Sequence, residues 1–351
     1  MTGTTKKTIG VCAVKTPFMK GGAEILCKEL VLNLEARGYC ADLLEVPFNP
    51  WPVNSLLSNA AAWRLLEPTA PDGKPIDLLI TTKFPSFAIK HDNKVAWVFH
   101  QMRELFDSNV AEGYFAGGFS DEAVRRQLIG LDKTFLCEHK DLFTISSNVA
   151  NRLNKYHGME AKTLYPPPKL IGRYKNNGYG DYILSVGRLD PWKRTELLIK
   201  ALSKCTSKAR CVIIGSGSAE SELHTLAEKS GLSERVEFIR FVDDEKLIDL
   251  YAGARGVFFG PRDEDYGFIT IEAFLSGKPV ITCKDSGGPL EFVINGKNGF
   301  VVDSDPLQIA SAIDSLFSDS ESAERMGKHG YESLPAFSWD EIIENLVVPF
   351  L

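Results

Sequence analysis

The sequence predicts an α/β fold made of two doubly wound (Rossmann-like) parallel-sheet domains facing each other across a cleft. Short β-branched runs alternate with amphipathic helical segments, which is typical of βαβ units around parallel sheets. The alternation occurs twice, on either side of a proline- and glycine-rich stretch at 163–181. The 351 residues also exceed the ~250–300 at which a single hydrophobic core stops growing. Two domains are therefore expected.

The first domain is predicted to comprise residues 1–168. Four β-branched runs indicate strands, at 8–14, 41–46, 77–82 and 94–99. A helix over 23–37 follows the first strand, because apolar residues recur there at helical spacing. Such a domain places its ligand site at the carboxyl ends of the strands.

The second domain is predicted to comprise residues 169–336. Five runs indicate strands, at 181–186, 210–215, 236–241, 256–260 and 279–283. Four segments between them have helical spacing, at 194–202, 219–229, 244–254 and 268–276. The last segment, 337–351, is predicted to form a helix over 339–351 that crosses back to the first domain.

Composition excludes several functional classes. Hydrophobic residues make up 44% and charged residues 25%, as in folded soluble proteins. The net charge of −6 disfavours a nucleic-acid partner, and the nearly balanced charge of residues 1–168 gives little support to peripheral membrane contact. The polar start and the lack of an apolar run of about 18 residues predict a cytoplasmic protein. Seven scattered cysteines without a CxxC pair argue against disulfides and structural zinc.

Two loops have the residues of a phosphate site. Gly21 and Gly22 precede the first helix, where glycine lets backbone N–H groups approach an anion, although an ordinary turn has the same composition. Arg188 and Lys193 follow a strand and could receive a diphosphate, or belong to a solvated loop. The turn GSGSAE (215–220) begins like a dinucleotide fingerprint. Glu220 occupies its third glycine position, which disfavours NAD or FAD.

Two glutamates stand eight positions apart in the segment 261–282. Glu264 lies in a predicted loop and Glu272 in the first turns of a predicted helix, whose N-terminus favours an ionised carboxylate. This arrangement fits a hydroxyl acceptor better than the facing carboxylates of a glycosidase. Asp263 and Asp265 also form a D-x-D pattern that could hold a divalent metal, and His100 is predicted at the end of a strand, where it would emerge into the cleft.

Six further segments follow one another along the chain: GGAE in the first loop, WVFHQMR, YPPP before the linker, SVGRLDPWKRTELLIKAL, EAFLSGKPVIT and SGGPLEFV. Together with the E-x7-E run from Glu264 to Glu272, they resemble the retaining, family 4 type of glycosyltransferases with the GT-B fold. The resemblance extends over nearly the whole chain, and it is the combination of motifs that is specific.

The resemblance implies a role for each matching residue. Arg188 and Lys193 would bind the donor diphosphate and stabilise the leaving nucleoside diphosphate. Glu272 would accept hydrogen bonds from the ribose and Glu264 from the transferred sugar. The remaining implied contacts are Gly22 with the diphosphate, His100 with the donor sugar, Arg240 and Val242 near the base, and the backbone of Tyr266, Gly267, Phe268 and Ile269 with sugar and phosphates.

The implied reaction transfers a sugar from a nucleotide diphosphate sugar to an acceptor hydroxyl, with retention at the anomeric carbon and without a cofactor or a required metal. Such a reaction belongs to polysaccharide or glycoconjugate synthesis. The acidic residue and bulky ring of Asp265–Tyr266 are expected to alter the sugar pocket. An acidic step of this kind is familiar among mannosyltransferase-like members and slightly favours GDP-mannose, with UDP-glucose and UDP-N-acetylglucosamine as open alternatives. The acceptor stays open among glycan, lipid-linked sugar, protein and small molecule. Two alternatives are a non-catalytic sugar-nucleotide-binding protein and a metal-dependent transferase that uses Asp263 and Asp265.

Overall fold

The chain forms two compact units, each of which is an α/β domain. A computed structural model describes residues 6–18, 21–49, 51–106 and 119–351. The first domain contains the described residues up to Lys169 together with Phe337–Leu351, and the second domain contains Leu170–Ala336. Within the described residues, none of the helices has the length and apolar composition needed to cross a lipid bilayer.

The first domain has a parallel sheet of six strands. In chain order they are β1 (Thr8–Lys15), β2 (Cys40–Pro47), β3 (Leu78–Lys83), β4 (Lys94–His100), β5 (Leu142–Thr144) and β6 (Lys162–Thr163). Their order in the sheet is β2-β1-β3-β4-β5-β6. The described helices are α1 (Gly22–Ala36), α2 (Ser55–Leu65), α3 (Phe119–Cys137) and α4 (Ser147–His157). The four strands and the helix predicted here are confirmed.

A buried lysine ties the start of β4 to α2 and the end of α3. Lys94 is 1% exposed, and its ammonium donates to the carbonyl oxygen of Ile89 at 2.7 Å and to the Glu138 carboxylate at 3.0 Å. Arg64 of α2 donates to both oxygens of the same carboxylate, at 2.6 and 2.8 Å. Burial lowers the pKa of Lys94, while the Glu138 carboxylate acts in the opposite direction and favours the charged ammonium.

The carboxyl-terminal segment packs on the first domain. It contains α11 (Trp339–Leu346) and a 3₁₀ turn, Val348–Phe350. The Trp339 ring meets Trp97 of β4 edge to face, with the ring centroids 6.3 Å apart. Two hydrogen bonds add to this contact, from Arg37 Nε to Asp340 at 2.8 Å and from the Asn93 amide to the carbonyl oxygen of Phe350 at 2.8 Å.

The second domain has a second parallel sheet of six strands. They are β7 (Tyr182–Val186), β8 (Arg210–Ile214), β9 (Val236–Ile239), β10 (Gly256–Phe258), β11 (Val280–Cys283) and β12 (Gly299–Val302). Their order is β12-β11-β10-β7-β8-β9. The direction of winding therefore reverses between β7 and β10, and ligands of such sheets bind at the carboxyl ends of the strands beside that reversal.

Six helices cover the second sheet or continue from it, and the four predicted here are confirmed. They are α5 (Thr195–Leu202), α6 (Glu220–Lys229), α7 (Asp244–Gly253), α8 (Phe268–Leu275), α9 (Pro306–Ser318) and α10 (Ser320–Glu332). Apolar side chains of β7, β8, α5 and α9 are fully buried in one core. The five predicted strands are also confirmed, although several end one or two residues earlier than expected.

The glycines of the turn after β8 are required by backbone packing. Gly215 has a φ of 142°, and a Cβ added there would lie 1.9 Å from the carbonyl oxygen of Gly187. A Cβ on Gly217 would lie 2.5 Å from the carbonyl oxygen of Leu189. Two hydrogen bonds hold this turn against the loop that contains Gly187 and Leu189. Leu189 donates its N–H to the carbonyl oxygen of Ser216, and its own carbonyl oxygen accepts the N–H of Ala219. These glycines therefore serve the close approach of two loops.

Replacing Gly215 with alanine is expected to lower the free energy of unfolding of the second domain by at least about 2 kcal/mol. The added methyl group would clash with a backbone carbonyl oxygen. Backbone cannot move aside as readily as the end of a flexible side chain. Calorimetry would measure the loss. Gly231→Ala is the matched control, because Gly231 also has a positive φ, 68°, but open space around it. We expect only about 1 kcal/mol there. Equal losses in the two variants would contradict the packing argument.

Candidate functional site

The predicted site residues of the second domain follow the carboxyl ends of its strands. Arg188 comes after β7, Arg240 and Val242 after β9, and Glu264 after β10. Because all six strands are parallel, these ends lie along one edge of the sheet. β7 and β10 are neighbours at the reversal of winding, so the loops that carry Arg188, Lys193 and Glu264 meet there.

Lys193 and Glu264 form an ion pair at this edge. The Lys193 ammonium lies 2.5 Å from one carboxylate oxygen of Glu264, and the two side chains are 20% and 23% exposed. The ammonium also lies 5.6 Å from the centre of the Phe259 ring, at the end of β10. A cation and a carboxylate held together at the carboxyl ends of parallel strands can bind two groups of one ligand, a phosphate and a sugar hydroxyl.

Arg188 is the second predicted phosphate-binding cation. Its guanidinium lies 3.1 Å from Asp190 in the same loop, and its side chain is half exposed. Lys193 ends a 3₁₀ turn, Pro191–Lys193, and α5 starts two residues later.

The loop of Glu264 is fixed by backbone hydrogen bonds to the loop after β11. Asp263 donates its N–H to the carbonyl of Asp285, and Glu264 donates to the carbonyl of Ser286, at 2.7 and 2.8 Å. Gly288 donates in return to the Glu264 carbonyl at 2.8 Å. Asp263 has a φ of 48°, a left-handed conformation that is uncommon outside glycine. The position of the Glu264 backbone is therefore set by three neighbouring bonds.

The start of α8 depends on Gly267, whose φ of 86° lies in the left-handed region. A Cβ there would come within 2.9 Å of the Pro289 ring. Phe268 and Ile269 are the first helical residues, so their backbone N–H groups stand at the positive end of the helix. The backbone role that the resemblance implies for them stays a prediction.

The side chain of Tyr266 corrects one expectation. Its ring was expected to alter the sugar pocket, but it is only 2% exposed. It packs edge to face with Phe268, at 4.9 Å between ring centroids, and with Phe292 at 5.8 Å. The ring therefore belongs to the core behind the loop, which leaves the backbone as the part of Tyr266 available to a ligand.

Glu272 lies in α8 and is held by a tyrosine of α7. The Tyr251 hydroxyl donates to a Glu272 carboxylate oxygen at 2.7 Å, and Tyr174 packs against the Tyr251 ring with centroids 6.0 Å apart. Burial raises the pKa of Glu272, against the lowering effect of the hydroxyl. The N-terminus of α8 favours an ionised Glu272, as predicted from the sequence, whereas burial opposes that effect and favours the neutral carboxyl.

The residues predicted near a base lie on the far side of β7 from Glu264. Arg240 is exposed, and its guanidinium lies 2.9 Å from Glu220 at the start of α6. Val242 is half-buried and precedes Asp243, which caps α7 by accepting the N–H of Lys246. Glu220, the residue that disfavours a dinucleotide, thus serves as the partner of Arg240.

Two of the predicted site residues, Gly22 and His100, belong to the first domain. Gly22 is the first residue of α1, and His100 is the last residue of β4. The Glu24 carboxylate accepts the N–H of Gly21 at 2.9 Å and pairs with Lys83, at the end of β3, at 3.2 Å. Because β1, β3 and β4 are parallel neighbours, their carboxyl ends lie at one edge of the sheet. Lys83 and His100 are the last residues of β3 and β4, and Gly22 lies beyond the end of β1.

Sequence reasoning missed several polar residues at these edges. Arg194 bonds to the loops after β10 and β11, and Tyr251 bonds to Glu272. The Gln101 side chain, beside His100, is buried without a hydrogen-bond partner within the described part of the chain. Arg194 and Gln101 stand in the segments SVGRLDPWKRTELLIKAL and WVFHQMR, but the partners of Arg194 and Tyr251 are distant in sequence, so only the charge of Arg194 beside Lys193 offered a signal.

The metal alternative rests on Asp263 and Asp265. Over the described ranges, which include both residues, no three His, Cys, Asp or Glu side chains are grouped in a way that could hold a metal ion. Asp263 instead contributes its N–H to the bond with Asp285 that fixes the loop.

Residues 169–333 match a family model described as "Glycosyl transferases group 1". Curated relatives include D-inositol 3-phosphate glycosyltransferase of Corynebacterium diphtheriae, 30% identical over 46% of this chain and 40% of that protein. The same enzyme of Nocardia farcinica is 28% identical over 68% and 58%. Spore coat protein SA of Bacillus subtilis is 30% identical over 58% and 60%. The matched part of this chain thus spans 40% to 60% of these relatives.

Two solved structures share the fold over nearly the whole chain. One is sucrose-phosphate synthase from Thermosynechococcus elongatus, with a TM-score of 0.76 and 20% identity over 97% of each chain. The other is Anabaena HepE in complex with UDP and glucose, with a TM-score of 0.70 and 18% identity over 97% of this chain and 99% of that chain. The prediction of two Rossmann-like domains of the GT-B type is confirmed, and the family match of residues 169–333 supports the resemblance of the second domain to glycosyltransferases.

Proposed function

We propose that this chain, whose residues 169–333 match the family model of the group 1 glycosyl transferases, transfers a sugar from a nucleotide diphosphate sugar to an acceptor hydroxyl. The observation that carries the proposal is the Lys193–Glu264 pair at the carboxyl ends of β7 and β10, with Glu272 in the helix that follows. Each group has a counterpart in such a donor. The cation suits the diphosphate, and the two carboxylates suit hydroxyls of sugar and ribose.

In this proposal the charge that develops on the leaving nucleoside diphosphate is stabilised by Lys193 and Arg188. The positive end of α8 at Phe268 and Ile269 adds to that stabilisation. Glu264 orients the sugar and Glu272 the ribose. Oriented binding of this kind lowers the barrier without a protein nucleophile.

Retention of anomeric configuration and independence from a metal are part of the proposal. They rest on the resemblance in sequence together with the cations and helix terminus at this edge, which supply the charge stabilisation that a metal would otherwise provide. GDP-mannose is the proposed donor, on the acidic residue Asp265 that follows Glu264. The HepE structure was solved with UDP and glucose, which makes UDP-glucose the alternative donor to compare.

A panel of nucleotide sugars tests the proposal. We expect GDP-mannose, or else one of UDP-glucose, UDP-N-acetylglucosamine and ADP-glucose, to raise the melting temperature in the presence of EDTA. Glu272→Gln keeps the size of the side chain and a hydrogen bond to Tyr251 but removes the charged acceptor. It is expected to weaken binding of the active donor by roughly 10–100-fold. Calorimetric titration measures the change.

Glu228→Ala is the control, because Glu228 is an exposed glutamate on α6 in the same domain. It should leave the affinity for the donor unaltered. If no sugar nucleotide binds, or if binding requires an added divalent metal, the proposal is wrong. The anomeric configuration of the product, read by NMR, decides between retention and inversion.

A further inference from the structure

Arg194 connects the loop after β7 to the loops that follow three other strands. Its Nε donates to the carbonyl oxygen of Gly260 at 2.8 Å, and one terminal nitrogen donates to the carbonyl of Pro261 at 2.7 Å. The two terminal nitrogens also bind both carboxylate oxygens of Asp285, at 2.7 and 2.8 Å. Ser304, after β12, accepts a further bond at 2.9 Å. The Arg194 side chain is 13% exposed, whereas that of Asp285 is about half exposed.

The backbone of Arg194 is itself unusual. It has φ 52° and ψ 37°, the left-handed conformation that glycine adopts most readily, at the N-cap of α5. An arginine kept in this conformation must be held by its surroundings, and such residues cluster at functional sites. Here its side-chain bonds supply the restraint.

The consequence for the site lies in what Arg194 joins. On one side its chain neighbour is Lys193, whose ammonium lies 2.5 Å from Glu264. On the other side are the carbonyls of Gly260 and Pro261, which begin the loop that carries Glu264. Asp285 completes the connection, because its own carbonyl accepts the N–H of Asp263. Moving Arg194 would therefore shift the lysine and the glutamate relative to each other.

We propose that Arg194, with Asp285, is a positioning residue for sugar transfer that sets the distance between Lys193 and Glu264. The proposal rests on the function proposed above. Arg194 contacts neither donor nor acceptor in this role and acts through the two loops it joins. Misplacement of reacting groups by about 1 Å can lower a rate about 100-fold.

Arg194→Gly tests the proposal, since glycine keeps the left-handed backbone without strain and removes only the side chain. We expect kcat for the active nucleotide sugar to fall about 100-fold, with KM for the donor changed less than about threefold. Arg194→Lys is not expected to restore kcat, because a single ammonium cannot replace the planar guanidinium and its several N–H donors. Asp285→Asn should reproduce part of the loss. The double variant Arg194→Gly/Asp285→Asn should be no worse than Arg194→Gly, because the two residues act as one unit.

Arg235→Ala is the matched control. Arg235 also donates to backbone carbonyls, of Ala209 and Ser207, but near the opposite edge of the sheet, just before β9. It should lower the melting temperature without altering kcat. If Arg194→Gly and Asp285→Asn leave kcat within about twofold of the wild type, or if their effects simply add, the positioning role is wrong. If Arg194→Gly does not fold, the kcat of Asp285→Asn alone tests the positioning role. Absence of donor binding or turnover in the wild type would instead refute the proposed function.

Discussion

Replacing Lys193 with alanine is expected to lower kcat/KM for the nucleotide sugar by about 100–1000-fold. The ammonium is the cation that lies against Glu264, and in the proposed reaction it faces the leaving diphosphate. A charge that interacts mainly with the transition state affects kcat more than KM. Most of the loss should therefore appear in kcat.

Two further variants separate charge from packing. Lys193→Met keeps an apolar stem beside Phe259 and should lose as much activity as the alanine variant, because it also lacks the charge. Lys200→Ala removes an exposed lysine of the adjacent helix α5 and should behave as wild type. Steady-state kinetics with the active donor measures all three. Substantial activity in Lys193→Met would show that the ammonium is not needed.

Replacing Glu138 with alanine is expected to lower the free energy of unfolding of the first domain by about 3 kcal/mol. The carboxylate accepts hydrogen bonds from Arg64 and from Lys94, and the Lys94 side chain is almost completely buried. Without Glu138, a desolvated ammonium keeps only neutral carbonyl partners. We expect a loss at the lower end of the free-energy range for breaking a buried ion pair, because Glu138 itself is partly exposed.

Urea unfolding followed by tryptophan fluorescence measures this loss. Four of the five tryptophans report on the first domain: Trp51, Trp63, Trp97 and Trp339. Lys94→Met removes the buried charge instead and leaves Glu138 paired with Arg64. That variant should cost no more than about 1 kcal/mol. If Lys94→Met is as unstable as Glu138→Ala, the explanation by an uncompensated charge is wrong.

The sequence was sufficient for the strands that repeat a clear pattern. β1, β4, β7 and β8 are β-branched runs buried on both faces, and their composition alone indicates a parallel sheet. β5 and β6 have three and two residues, too few for any periodicity. β12 begins at Gly299, where a Cβ would lie 2.0 Å from the Val280 carbonyl. A glycine demanded by strand packing looks like a turn signal in the sequence.

The members of the candidate site were predicted from local sequence, but the contacts between them were not. Lys193 and Glu264 were each identified from local pattern, yet their pairing joins positions 71 residues apart. The position of the Tyr266 ring is likewise decided by contact with Phe292, which local spacing does not encode. The raised pKa of Glu272 depends on burial, which is also a tertiary property. Arg194 escaped detection because its partners come from loops after β10, β11 and β12.

The packing of Trp339 on Trp97 has a consequence for protein synthesis. The core of the first domain includes side chains of Phe337–Leu351, which leave the ribosome only after the whole second domain has been translated. During elongation, the apolar surface around Trp97 therefore lacks its final cover while the second domain is free to fold. The first domain thus begins to be synthesised before the second domain but is completed after it. A gene fragment that ends at the linker would encode a first domain without part of its core.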